Sequence, residues 1–278
     1  MTVLSFVTLL MIIGCGEEQI DIRKEELVVE GYIAEGEYPV VFVTSTLPIT
    51  EDSKEFQFKE YVAQWARVGI TTEDEKTLYL TARYDSHYFP PYIFTTTAIR
   101  GQAGKKYHLT VDWRKMHGEA TTTIPTSVPI DAIWCNPCQD SDTLRQVSVR
   151  FQDKPESHDY YLLQSRRNGE PLNPQLCLFG IIDDVTLSTT EVTTSIRRGG
   201  LVTEIKEYTP YYTIGDDVDV WLMHVDSLTY HYWYGVSNSK QLGRSLLFNV
   251  TVPLTGNIKG GHGIWYGCGL GRKSMKVN

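Results

Sequence analysis

The chain has 278 residues, of which 41% are apolar and 12% aromatic, enough to bury a full core and to exclude a disordered protein. A formal charge of -8 argues against nucleic acid or anionic lipid headgroups as the main partner, because both bind basic surfaces. The length allows one large domain or two modest ones.

Residues 1–15, MTVLSFVTLLMIIGC, are apolar from Val3 to Ile13 apart from Ser5 and Thr8, and then give way to GEEQIDI. A bilayer span needs about 20 apolar residues, so this shorter run is predicted to be an export signal. Ile12-Ile13-Gly14-Cys15 resembles the lipobox of bacterial lipoproteins, which implies cleavage before Cys15 and acylation of its thiol. Gly16-Glu17-Glu18 resembles the acidic tag that sends Bacteroidota lipoproteins to the outer face of the outer membrane, with residues 16–24 as an acidic tether. The alternative is a buried N-terminal strand or helix that ends in an ordinary cysteine. The cysteine count is five; an acylated Cys15 leaves Cys135, Cys138, Cys177 and Cys268, which can form disulfides in three ways in an oxidising compartment. The sequence does not choose among them.

From residue 25 onward, short runs rich in Val, Ile, Thr and Tyr follow one another: LVVEGYI, PVVFVTS, YVAQWARVGITT, KTLYLTARY, YIFTTTAI, KKYHLTVDW and GEATTTIP. Gly, Pro, Asp and Asn bound them, so they are predicted as strands of an antiparallel sandwich over 25–128. In KKYHLTVDW, Tyr107, Leu109, Val111 and Trp113 share one face, as a half-buried strand requires. Around IPTSVPIDAIWCNPCQDSD the pattern breaks, and 129–145 is predicted as a linker carrying a C-x-x-C. Strands resume over 146–278, from QVSVRFQD to DVDVWLMHV and finally LLFNVTV. Between the last two, Asp226 or Ser227 caps one short helix with Tyr230, Trp233, Tyr234 and Ser237 on one face. The fold class is therefore mainly β: a β-sandwich followed by a second β-rich domain with one helix.

Trp-Cys-Asn-Pro-Cys at 134–138 has the letters of a thioredoxin centre, but that chemistry needs a helix after the first thiol to lower its pKa. The residues after it run through a polar turn into a strand, so redox catalysis is not expected. No second cysteine pair supplies a zinc site, and no metal site is assigned. IIDDV and GDDVDV gather carboxylates without the pattern of a calcium loop, and they read as solvated turn groups, with an adventitious or structural calcium as the alternative. G-x-S-x-G, H-E-x-x-H and S-x-x-K with its partners are absent, so no catalytic residue is assigned and no cofactor is expected. GCGLGRKS has the wrong spacing for a phosphate loop. The aromatic load of 17 Tyr and 6 Trp gathers in HYFPPYIF, EYTPYYT and YHYWYG. Pro90-Pro91 stiffen the first of these and are expected to present Tyr88, Phe89 and Tyr92 as ligand or partner contacts. The helix aromatics read as core, and Gly260, Gly261 and Gly263 read as a close-packed bulge rather than a docking surface.

Several of these stretches occur together in one family order: LVVEGYI, GKKYHLTV, GEATTTIPTSVPID, VRFQD, DYYLL, YTIGDDVDVWLMHVDSLTYHYWYG and NIKGGHGIWYG. As a set they resemble the Bacteroidota outer-membrane lipoproteins catalogued as domain-of-unknown-function family 4249. The resemblance implies a transthyretin- or carboxypeptidase-regulatory-like first sandwich, a β-rich second part, and genetic association with TonB-dependent transporters. It implies no characterised chemistry. The expected protein is thus a lipid-anchored, surface-exposed outer-membrane protein that captures a ligand or serves a TonB-dependent β-barrel transporter. The other expectations are a surface hydrolase of glycans or peptides and an adhesive envelope protein.

Overall fold

The structure is a computed structural model, and it describes residues 25–46, 61–139, 141–154, 156–170, 173–187, 189–199, 209–242 and 254–278. The signal, Cys15, the tether and the expected LLFNVTV strand lie outside the described residues. In the first part the chain forms β1 (Leu27–Ala34), β2 (Val40–Ser45), β3 (Arg67–Thr72), β4 (Thr77–Tyr79), β5 (Thr81–Tyr84), β6 (Tyr92–Thr95), β7 (Lys106–Trp113) and β8 (Met116–Thr123). It continues with β9 (Ile130–Pro137), β10 (Leu144–Gln152), β11 (Tyr160–Arg167), β12 (Gln175–Asp183) and a single 3-10 turn at Asp184–Thr186. β13 (Glu191–Ile196), β14 (Tyr212–Thr213), β15 (Asp217–Val225), helix α1 (Ser227–Leu242) and β16 (His262–Lys276) complete it.

A 4-stranded sheet in the order β4-β3-β7-β8 faces β1, β2 and β16 across the first core. The alternation predicted in β7 appears as drawn: Tyr107, Leu109, Val111 and Trp113 are buried, and His108, Thr110 and Asp112 are not. They meet Leu27 and Val29 of β1, Val41 and Val43 of β2, and the fully buried indole of Trp265, whose Nε1 donates to the Tyr107 carbonyl at 3.1 Å. A second core fills the space between β9, β10, β13 and β14 on one side and β11 and β15 on the other. It holds Val147, Val149, Phe151, Tyr161, Leu163, Val220 and Leu222.

One strand belongs to both halves. Over His262 to Cys268, β16 runs parallel to β1, and over Gly269 to Lys276 it runs antiparallel to β15. The result is a continuous 8-stranded sheet, β12-β11-β15-β16-β1-β2-β6-β5. The second unit therefore does not own residues 262–268, which complete the first sandwich. Glycines at 263, 267, 269 and 271 make this passage possible. A Cβ at Gly271 would stand 2.2 Å from the Val128 carbonyl oxygen, and one at Gly263, where φ is +104°, would stand 2.0 Å from that of Val29. The Gly-rich tail is close-packed sheet.

The predicted linker 129–145 is largely strand. Seven residues of β9 pair with β10, from Ile130 opposite Phe151 to Pro137 opposite Arg145. Its prolines misled the sequence reading because Pro129 precedes the first strand residue and Pro137 is the last, positions where a missing amide donor costs little. On the outer face of the shared sheet, α1 covers a third cluster that includes Leu162, Met223, Val225, Ile264, Tyr266 and Cys268.

Candidate functional site

β10 ends at Gln152, and the chain turns through 153–159 to enter β11 at Tyr160. On the neighbouring strand, β12 ends in Asp183, whose carboxylate caps the 3-10 turn by accepting from the Val185 amide at 3.1 Å. These two strand ends lie side by side because Tyr160 pairs with Asp183 in the register of β11 and β12. Their loops frame an open depression of about 330 Å³ lined by Asp153, Lys154, Ser157, His158, Asp184 and Thr190, among others.

The carboxylates here are held by a dense set of bonds. Asp153 Oδ1 accepts from the Tyr161 hydroxyl at 2.6 Å, and Asp159 Oδ2 accepts from the Ser157 hydroxyl at 2.7 Å. Asp159 Oδ1 lies 3.2 Å from His224 Nε2, and the backbone amide of Asp159 donates to Asp184 Oδ2 at 2.7 Å. His158 Nε2 reaches Asp183 Oδ1 at 2.8 Å, and that bond raises the imidazole pKa above its ordinary value. Burial first, and the bond to the Asp153 carboxylate second, push the Tyr161 phenol far upward, so it stays a neutral donor. Two overlapping sets of side chains bring one ligand atom each within 4.8 Å of one another: Asp153, Asp159 and Asp184, and His158, Asp183 and Asp184.

From the lip of this depression a row of rings, half-buried at Tyr160 and Tyr230, runs out to the surface. His158 lies 4.5 Å from Tyr160 between ring centroids, Tyr160 lies 4.8 Å from Tyr230, and Tyr230 stacks on Tyr234 at 5.9 Å with 18° between planes. Tyr234, at 49% exposure, ends the row in solvent.

The residues singled out in the sequence fare unevenly. Tyr88 is half-buried, with its ring 5.7 Å edge-on from Phe42, and burial raises its phenol pKa above the ordinary value. Tyr92 packs edge-on against Tyr84 at 5.3 Å, so of the expected contact trio Phe89 is the exposed member. The proline pair does not present all three because the loop is a bracket: the His87 carbonyl accepts from the Asn173 amide at 2.7 Å, tying the first half to the start of β12.

Cys135, Cys138, Cys177 and Cys268 are free thiols, so the expected disulfides are absent here. Cys135 and Cys138 sit three residues apart on extended chain, a separation of about 10 Å that exceeds the roughly 7 Å a disulfide spans. Cys177 and Cys268 belong to cores on opposite faces of the shared sheet. Burial pushes the Cys177 thiol up to about 12 and that of Cys268 higher still.

The GDDVDV carboxylates are turn and strand-surface groups: Asp216 accepts from the Thr213 amide and Asp219 pairs with Arg166, both at 2.8 Å. The expectation that IIDDV is likewise solvated fails at Asp184, whose side chain is 8% exposed. Asp153, Asp159 and His158 were not singled out. The first two end and begin VRFQD and DYYLL, the only signal of their weight in the sequence.

The two packed cores and the shared sheet place the protein in the mainly β class, with α1 the one α-helix among the described residues. Within that class it belongs to a family: residues 17–274 match the model described as Domain of unknown function (DUF4249). No curated protein matches the chain. A two fibronectin type-III domain segment from chicken tenascin is similar at 11% identity and a TM-score of 0.21, over 72% of this chain and 91% of that one. A DUF4785 family protein from Legionella pneumophila is similar at 11% identity and a TM-score of 0.22, over 71% of this chain and 52% of that one. Superpositions this poor carry no argument.

Proposed function

We propose that this chain is a non-catalytic, ligand-capturing protein of the outer-membrane surface, held by a lipid on Cys15 and working beside a TonB-dependent nutrient transporter. The apolar run ending in Gly14-Cys15 and the acidic residues after it support the anchor and the address. The family resemblance supports the transporter as partner. Capture rests on one observation, the surface row His158, Tyr160, Tyr230 and Tyr234. Such rings offer flat apolar faces with polar tips, which suits a sugar ring or an extended peptide. Confinement to the membrane raises the effective concentration of the captured ligand beside the transporter, so modest contacts suffice.

The carboxylates beside the row favour this reading over hydrolysis. A glycosidase needs two carboxyl groups about 5 to 10 Å apart across the scissile bond, one of them free to give a proton. Here three crowd within 4.8 Å, and both oxygens of Asp159 are engaged. The test is affinity capture of the acylated chain from gently solubilised outer membranes of its native host, followed by mass spectrometry. A stoichiometric β-barrel transporter is expected, and its absence at comparable abundance would overturn the partnership.

A further inference from the structure

We infer that the depression between the loop 153–159 and the turn after β12 is a binding site for a hard divalent cation of the calcium class, held by the carboxylates of Asp153, Asp159 and Asp184. One ligand oxygen from each lies within 4.8 Å of the others. Two of these side chains are deeply buried, Asp159 at 9% and Asp184 at 8% exposure, so water screens their repulsion poorly. A cation between them removes the conflict.

An orphaned atom marks the place. Every described bond to the three carboxylates leaves one buried oxygen over: Asp184 Oδ1 has less than 1 Å² of exposed surface and no hydrogen-bond partner. The nearest opposite charge is His158 Nε2 at 3.5 Å, but that nitrogen already bonds Asp183 at 2.8 Å. A buried carboxylate oxygen with nothing to accept is a metal ligand in waiting; Asp153 and Asp184 line the depression, and Asp159 stands behind its wall. Its partner oxygen is fixed by the Asp159 amide, so the free one is held in place.

The donor set selects the ion. Three carboxylates from two separate loops, with room for water on the open side, match the oxygen-rich and geometrically tolerant shell of calcium. Magnesium demands a tighter octahedron and gives up its waters reluctantly, and zinc prefers sulfur and imidazole, so both rank lower. The ligands come from 153–159 and 183–186, segments separated by β11 and β12, so no contiguous loop motif announces the site. Bound there, the ion would clamp the two loops together. It would also fix them to the connector after β8, which Lys154 Nζ already touches through Thr126 Oγ1 at 2.9 Å.

The full chain is stripped with EDTA and titrated with calcium chloride by calorimetry, with thermal unfolding followed in parallel. One calcium per chain is expected, with Tm rising by about 5 °C or more at saturation and a smaller rise with magnesium. Asp184→Asn and Asp153→Asn should each weaken calcium binding at least about tenfold. Asp112→Asn, at a carboxylate of the first sandwich that faces His117, should leave binding unchanged. Asp153 is the less buried ligand, so its variant decides the matter if Asp184→Asn does not fold. No heat and no Tm shift up to about 10 mM calcium would overturn the inference. So would undiminished binding in Asp153→Asn, which puts the ion elsewhere. Tighter binding of zinc than of calcium would move the site to His158, Asp183 and Asp184 and refute it as stated.

Discussion

His224 and Thr126 are joined across the two sandwiches: the imidazole Nδ1 on β15 lies 2.8 Å from the carbonyl oxygen of Thr126, in the segment that leaves β8. The other ring nitrogen touches Asp159, so one buried side chain fastens the connector, the shared sheet and the carboxylate cluster. His224→Ala leaves the buried Asp159 carboxylate and the Thr126 carbonyl without their imidazole partner. It should lower stability by about 2 kcal/mol, read as a shift of the urea midpoint with an unchanged slope.

The close approach of the connector to β16 gives a sharp contrast between glycines. Gly271→Ala sets a Cβ against the Val128 backbone and should cost about 3 kcal/mol or more, enough to cut soluble yield. Gly104→Ala, at φ +77° with nothing within 4 Å, pays only for its backbone conformation and should cost about 1 kcal/mol. Thermal melts of the two variants side by side check the ordering.

The thiols should divide in two. Iodoacetamide at pH 8 should label the half-buried Cys135 and Cys138 in the folded chain and spare Cys177 and Cys268 until denaturant is added. Burial has pushed the Cys177 thiol to about 12, so almost none of it is thiolate at that pH. Mass spectrometry without reductant should find no Cys135–Cys138 bridge.

Acid should weaken the shared sheet through Asp219. Burial opposes its ionisation, but the Ser274 hydroxyl and the Arg166 and Arg272 guanidinium groups outweigh that and hold the carboxyl below its ordinary value. A depressed carboxylate adds stability above the unfolded pKa, near 4, and loses it as pH falls through the lower folded value. The stability difference between the wild type and Asp219→Asn should therefore be constant from pH 7 to about 5 and close below about 4. Urea unfolding across that range reads it.

Much of this fold was legible in the sequence, and the failures have physical causes. Alternation placed β7 correctly because one face is core and the other solvent. In α1 it placed a helix correctly but rotated the buried stripe. Thr229, Tyr232, Trp233 and Val236 face the sheet, whereas Tyr234 points to water. With Tyr at 230, 232 and 234 the period is ambiguous, and the partner surface decides it. The carboxylate cluster was invisible because its members come from loops a strand or more apart. β16 pairing with β1 joins the two ends of the chain, a contact that no local pattern encodes.

That pairing also has a mechanical meaning. β1 lies between β16, parallel to it, and β2, antiparallel, with partners along almost its whole length. Tension entering at Glu25 runs along β1 and loads both ladders in shear, so their hydrogen bonds resist together instead of opening one at a time. A pull on the leading end of the chain thus meets two ladders at once.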